Sequence, residues 1–315
     1  MRCRRSAATA CNRHCAPRPR PRRCWTRWTR CARRRHERAG PFPSAHPEVR
    51  STKGSPVSPD AVRRTAATWG AQGQDAVIVE VLTHRGSVPR ETGTRMLVGA
   101  TEVAGTIGGG HLELQAIARA RAGRFADWAV ALGPTLGQCC GGALTLRFQP
   151  LTAETLALWP EPVPRFALQL YGAGHVGRAI VRLLADIDCR VQWIDERETE
   201  FPAGPLPPHI QPLCVDAPEA EVAAAAPGTH FLVLTHSHDL DQRITEAVLK
   251  RGDFGFLGLI GSASKRARFL HRFEERGIAP EVLARLTCPI GLPGIAGKEP
   301  GVIAVAVVAQ LLQRA

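Results

Sequence analysis

The sequence predicts an α/β protein in two parts, an α+β domain followed by a doubly wound parallel sheet. Three observations predict it. Strand and helix patterns alternate from residue 166 to the end, as βαβ units do. Within that half, residues 168–196 read as strand, glycine turn, helix and second strand, with Gly172, Gly174 and Gly177 in the spacing G-x-G-x-x-G. Residues 61–150 carry strands and glycine-rich turns of another kind, and the prolines of residues 151–165 mark a linker between the parts.

Composition narrows the function classes once the charge is located. The net charge of +13 resides in residues 1–60, where sixteen Arg or Lys face three acids. The other 255 residues hold twenty-five of each sign, so the body is neutral and gives no electrostatic reason to bind nucleic acid or a membrane surface. Residues 1–60 are rich in Arg, Pro and Cys without apolar periodicity and read as a disordered basic tail. A misassigned start codon, with the true start near Val57, is the favoured account of this segment, and an RNA-binding arm competes with it. Five cysteines (Cys3, Cys11, Cys15, Cys24, Cys31) crowd this tail at spacings that match no zinc or disulfide pattern. The body's Cys139, Cys140, Cys189, Cys214 and Cys288 are odd in number and scattered, which points to a reducing cytoplasm. No apolar run is long enough to cross a bilayer.

In chain order, a helix over Ala61–Trp69 precedes the apolar strand 76–82, which its composition buries. A strand at Met96–Val98 follows GSVPRETGTRM (86–96), and GTIGGGHLELQ (105–115) opens a helix to about Ala122. Strands at Trp128–Leu132 and Ala143–Phe148 flank LGPTLGQCCGG (132–142). In the second half, Val176, Ile180, Leu183 and Leu184 recur on one helical face. Further strands are expected near Ile210–Val215, Phe231–Leu234 and Phe256–Ile260. Helices are expected near Glu219–Ala225, Asp241–Arg251, Ala263–Arg276 and Gly301–Gln313.

The chemistry lies in the turns. The Gly172–Gly177 turn, with His175 inside it, is a phosphate seat in which glycines admit close approach and the helix start supplies N–H groups. Asp195, ending the next strand eighteen residues after Gly177, occupies the place of the ribose-binding acid of a Rossmann unit. Gly108, Gly109 and Gly110 before a helix form either a second anion seat or a plain tight turn, with Arg90 and Arg95 nearby in sequence. Cys139, Cys140 and Gly141 sit in a loop roomy enough for a soft metal centre or a sulfur-accepting thiolate to approach, or are two small buried thiols. THSHDLD (235–241) fails the H-x-H-x-D-H metal pattern, and Asp239 or Asp241 reads as a helix N-cap. GLIGSASKRARFL (258–270) is either a further phosphate-facing helix start or a Ser262-capped helix with a solvated basic face. No acid–base pair stands out.

GSVPRETGTRM, GTIGGGHLE, LGQCCGG, YGAGHVG, THSHDLD, GLIGSASKR and CPIGLPGIAGKEPGVIAVAVVAQLL, in this order, resemble the xanthine dehydrogenase accessory protein family (XdhC/CoxI) from about Ala76 to Leu312. The resemblance implies an N-terminal XdhC/CoxI domain (61–150) followed by a Rossmann-like domain (166–315), in a homodimer. It implies a chaperone, not an enzyme, that binds molybdenum cofactor (molybdopterin) while a cysteine desulfurase installs its sulfido ligand. Delivery is then to the molybdenum-binding subunit of apo-xanthine dehydrogenase, in purine catabolism. On this reading Cys140 approaches molybdenum ahead of Cys139, and the Gly172–Gly177 turn holds the phosphate. The competing class is an NAD-dependent oxidoreductase that uses the same turn and Asp195, since an acid there suits a free ribose hydroxyl.

Overall fold

A computed structural model describes residues 58–133 and 141–315. Cys139, Cys140 and nearly all of the basic tail lie outside the described residues. The first part is built on a five-stranded antiparallel sheet of β1 (Ala76–Arg85), β2 (Arg95–Gly99), β3 (Val103–Gly105), β4 (Trp128–Ala131) and β5 (Ala143–Pro150), in the order β3-β2-β1-β5-β4. The helix predicted from Ala61 begins earlier, as α1 (Pro59–Ala71), because Ser58 caps it and Pro59 suits its first turn. Its apolar stripe, Val62, Ala66 and Trp69, packs on Ile78, Leu97 and Ala104 of the sheet. Helix α2 (Gly110–Arg121) buries Leu112, Ala116 and Ile117.

The proline-rich stretch is more than a spacer. Thr152 caps a short helix α3 (Ala153–Ala157) with a capping box, and Trp159 joins the core of the first sheet, 6% exposed. The Arg95 guanidinium lies 5.1 Å from the Trp159 ring centre while pairing with Glu80 at 2.7 Å. The segment leaves the first domain only after this anchor.

The second part is a six-stranded parallel sheet. Its strands are β6 (Ala167–Tyr171), β7 (Arg190–Asp195), β8 (Ile210–Cys214), β9 (His230–Val233), β10 (Phe256–Leu259) and β11 (Leu286–Thr287). Their spatial order β8-β7-β6-β9-β10-β11 is the 3-2-1-4-5-6 order of the dinucleotide-binding fold. Helices α4 (His175–Leu184) and α8 (Pro300–Leu312) cover one face, burying Ile180, Leu184 and Val307 with Leu168, Leu170 and Trp193. Helices α5 (His238–Arg251) and α6 (Ala263–Glu275) cover the other, with Leu240, Ile244 and Phe269 against Tyr171, Phe231 and Leu257. Burial on both faces explains why these strands are apolar runs without alternation. Pro212 is tolerated because β8 is an edge strand.

The differences from expectation are local. The helix expected at Glu219–Ala225 is a 3-10 helix, Pro218–Ala224, too short between Pro218 and Pro227 to settle into α turns. Ser237, not Asp239 or Asp241, caps α5, its hydroxyl accepting from the Leu240 amide. The short pieces β3, β11 and α7 (Pro280–Leu283) carry too few residues to show a period. Among the described residues, no helix is long and apolar enough to cross a membrane.

His230, at the start of β9, is 6% exposed and stacks on Phe166 with ring centres 5.6 Å apart. Burial penalises its charged form and holds its pKa below the ordinary histidine value. The neutral ring therefore contributes stability above the unfolded pKa of about 6.5, and that contribution is lost as pH falls toward the folded pKa. We predict that Tm drops as the pH is lowered from about 7 to about 5, and that the drop is shallower in His230→Leu, as thermal melts across that range would show.

Candidate functional site

At the carboxyl edge of the parallel sheet, neighbouring strands β6 and β9 send their chains to opposite faces. Strand β6 leads into α4 on one side and β9 into α5 on the other, which opens a crevice between them. The three glycines of the turn after β6 have three different duties. Gly172 has φ +120°, and a Cβ there would stand 2.3 Å from the Leu234 carbonyl oxygen at the end of β9. A Cβ on Gly177 would stand 2.1 Å from the Gly172 carbonyl oxygen, so this glycine lets α4 press onto the turn. Gly174 differs, since a Cβ there would meet nothing within 4 Å. It faces open space at the start of α4, where no side chain caps the first amides and His175 is exposed. That is a seat a small anion can enter.

The structure changes the reading of Asp195. It ends β7 as predicted and is 4% exposed, yet its carboxylate is fully engaged by the protein. Oδ2 accepts from the Ala173 amide at 2.7 Å and Arg197 Nη2 at 3.0 Å, and Oδ1 accepts from the Arg197 amide at 3.0 Å and Arg197 Nε at 2.9 Å. Four bonds fill the roughly four acceptor positions of a carboxylate. Burial raises the Asp195 pKa, but the Arg197 guanidinium and the two amides outweigh it and hold the acid below its usual range. Asp195 is the anchor of the glycine turn and has no lone pair left for a ribose. Trp193 adds a second tie, its indole N–H donating to the Gly172 carbonyl at 3.1 Å. Arg178 donates to the carbonyls of Ala173 and Glu200 at 2.9 and 3.0 Å and pairs with the Glu200 carboxylate.

On the other side of the crevice lies a cavity of about 440 Å³, lined by Thr235, His236, His238, Ser262, Lys265 and Arg268 among others. Its wall holds a buried network invisible in the sequence. Lys265 Nζ bonds Asp241 Oδ2 at 2.5 Å and the Ile260 carbonyl at 3.0 Å. Asp241 Oδ1 accepts from the Thr235 amide at 2.9 Å and its hydroxyl at 2.7 Å. The expected solvated basic face of this helix therefore fails at Lys265, which is 5% exposed. Asp241 fixes the turn after β9 as Asp195 fixes the turn after β6. His236 Nε2 reaches Glu196 Oε1 at 3.3 Å. Because β6 lies between β9 and β7, that pair links the loops on either side of the glycine turn.

In the first domain, glycine motifs distant in sequence meet at one end of the antiparallel sheet. A Cβ on Gly108 would strike Pro89 at 2.4 Å, and one on Gly142 would strike the Ser87 carbonyl oxygen at 2.3 Å. Gly141 and exposed Arg90 thus belong to one loop cluster with Gly108. Gly108, Gly109 and Gly110 all have positive φ, which glycine permits. Their expected anion seat is largely filled by the chain itself. Glu113 Oε2 accepts from the Ile107 and Gly109 amides, both at 3.0 Å, and from the Thr106 hydroxyl at 2.5 Å. Arg95 lies away from ligand duty, held by Glu80 and Trp159.

Residues 69–127 match the model of the XdhC and CoxI family, and residues 168–311 match the XdhC Rossmann domain. The chain belongs to the XdhC and CoxI family. The uncharacterized protein YqeB of Escherichia coli (strain K12) is 29% identical over 261 residues, which cover 79% of this chain and 45% of YqeB. The chain thus spans less than half the length of that relative. A crystal structure of a xanthine dehydrogenase from Bacillus halodurans shares the fold, with a TM-score of 0.67 and 18% identity over 80% of this chain and 95% of that one. Among the features sequence reasoning missed in this XdhC protein, Arg197 was accessible through its spacing two residues beyond Asp195. Lys265 and Asp241, twenty-four residues apart, carried no such signal.

Two predictions separate the roles of these residues. Gly174→Ala leaves stability within about 0.5 kcal/mol, whereas Gly177→Ala destabilises by about 1–3 kcal/mol through overpacking, as denaturant titrations would show. Lys265→Met leaves Asp241 buried without its partner and costs about 3–5 kcal/mol in the same measurement.

Proposed function

We propose that this XdhC-family protein is a carrier that holds molybdenum cofactor while its sulfido ligand is installed and then hands it to the molybdenum-binding subunit of apo-xanthine dehydrogenase. The observation that carries the reading is the open face of Gly174 at the uncapped start of α4, beside an acid whose acceptor positions are all used. Such a seat takes a terminal phosphate monoester and offers nothing to a ribose. The bound group supplies the molybdenum–sulfur chemistry. The chain's residues bind and orient it. The amides at the start of α4 hold the phosphate, and exposed His175 stands at its rim.

Cys140 is joined directly to Gly141 of the first domain's loop cluster. In this proposal its thiolate, ahead of Cys139, approaches the soft metal centre, with Arg90 at the rim. Custody and exchange call for no general acid or base, so the protein acts as an accessory factor and not as an enzyme. A cysteine desulfurase is the sulfur donor's source, and the working unit is a homodimer in the cytoplasm. The alternative, an NAD-dependent oxidoreductase, requires Asp195 to receive a ribose hydroxyl, and the Arg197 clamp argues against it.

Desalting after incubation with molybdopterin cofactor tests the proposal, with bound molybdenum and pterin quantified separately. Near-stoichiometric retention is expected for the wild-type chain. Gly174→Ala should lower retention of both, and Cys140→Ala should loosen molybdenum more than pterin. No retention by the folded wild-type chain would overturn the reading.

A further inference from the structure

Two cavities flank the parallel sheet, and their charges differ. The one at the amino edge, of about 550 Å³, is lined by Gln169, Gln192 and Gln211, paired in register on β6, β7 and β8. Its Asp60 and Asp188 balance Arg64 and Arg190. The one at the carboxyl edge, of about 440 Å³, sets Lys265 and Arg268 against a single lining acid, Asp241, with His236 and His238 beside them.

Asp241 is already committed to the fold and cannot neutralise this wall. It is 2% exposed and spends three of its roughly four acceptor positions on the Thr235 amide, the Thr235 hydroxyl and Lys265 Nζ. Lys265, equally buried, turns its ammonium to Asp241 and the Ile260 carbonyl, so the two form a closed, neutral pair. The ion pairs of the lining are this one and His236–Glu196. Among the described residues, Arg268 and His238 take part in none. Both are exposed, Arg268 three residues beyond Lys265 on α6 and His238 at the start of α5. His236 borders the cavity on one side and meets Glu196, on the loop after β7, on the other.

An uncompensated guanidinium beside two imidazoles in a recess focuses a positive potential. Each imidazole is more readily protonated once an anion lies against it. Ile260 is the one aliphatic side chain of the lining, so the walls offer little to an aromatic or lipid ligand. The volume falls in the range of small-molecule sites. We infer that the carboxyl-edge cavity binds a small polar molecule through an oxyanion, a phosphate or carboxylate group. Arg268, His238 and His236 hold it, and Glu196 competes for His236. This site is distinct from the seat at Gly174. No residue of the glycine turn lines it, and α5 and α6 cover the face of the sheet opposite α4. It stands on its own lining and does not require the cofactor reading.

Inorganic phosphate and malonate, titrated separately into the full chain by calorimetry at low ionic strength, are the probes. Saturable binding of at least one is expected, and the tighter of the two distinguishes a phosphate site from a carboxylate site. Arg268→Gln should weaken that binding at least roughly tenfold, because the charge-assisted donors are lost. Glu196→Gln should strengthen it, because His236 loses its resident acid. Both positions are at the surface, so thermal melts of the two variants should stay close to wild type. Gly174→Ala separates any phosphate bound at the other seat and should leave the Arg268-dependent component unchanged. Absence of binding by both probes to the folded chain would overturn the inference. So would binding that survives Arg268→Gln, or that weakens in Glu196→Gln, where removal of an acid favours an anion. Binding lost in Gly174→Ala alone would place the anion at the seat on α4 and leave the cofactor reading intact.

Discussion

The carboxylate of Asp195 is the contact on which the carboxyl edge of the parallel sheet depends. It joins the end of β7 to the amide of Ala173 inside the glycine turn, and Arg197 grips it from the other side. A tight turn with φ +120° at Gly172 needs such an external tie, because its own backbone bonds are few. Trp193 and Arg178 then lock the carbonyls of Gly172 and Ala173. The consequence is a preorganised turn that opens at Gly174. The turn after β9 repeats the device with Asp241, Thr235 and Lys265, so both walls of the crevice are pinned by buried acids.

Much of this was legible in the sequence, and the limits are physical. The G-x-G-x-x-G spacing marks the turn because a Cβ would strike backbone at Gly172 and Gly177, while Gly174 keeps the start of α4 open. The position of Asp195 was legible from strand length. Its role was not, because whether an acid serves a ligand or the fold depends on its partner, and the nearness of Arg197 in sequence does not say that its guanidinium folds back onto the acid. Lys265 read as a surface cation since long side chains normally keep their charge in water. Its burial required an acid from a different helix. Trp159 was hidden among prolines that signal a linker. The paired glutamines were individually unremarkable, since register between parallel strands is set by the fold and not by local pattern.

The two parts of the chain gather their loops differently, as their sheets dictate. The antiparallel domain brings the loops of Gly86, Gly108 and Gly142 to one end, where Glu113 supplies the anion that the glycine-rich loop demands. Gly141, at that same end, follows directly in sequence on the two cysteines. The parallel domain has the open start of α4 at one edge and a glutamine-lined cavity at the other.

The central claim is that the acid after β7 belongs to the fold, leaving a seat for phosphate and none for a nucleotide's ribose. Isothermal titration of NAD into the full chain tests it most directly, with Asp195→Asn measured alongside. The account predicts no saturable binding of NAD by the wild-type chain at concentrations up to the millimolar range, and a loss of thermal stability in Asp195→Asn. Saturable NAD binding that disappears in a stably folded Asp195→Asn variant would contradict it and return the carboxylate to the ligand.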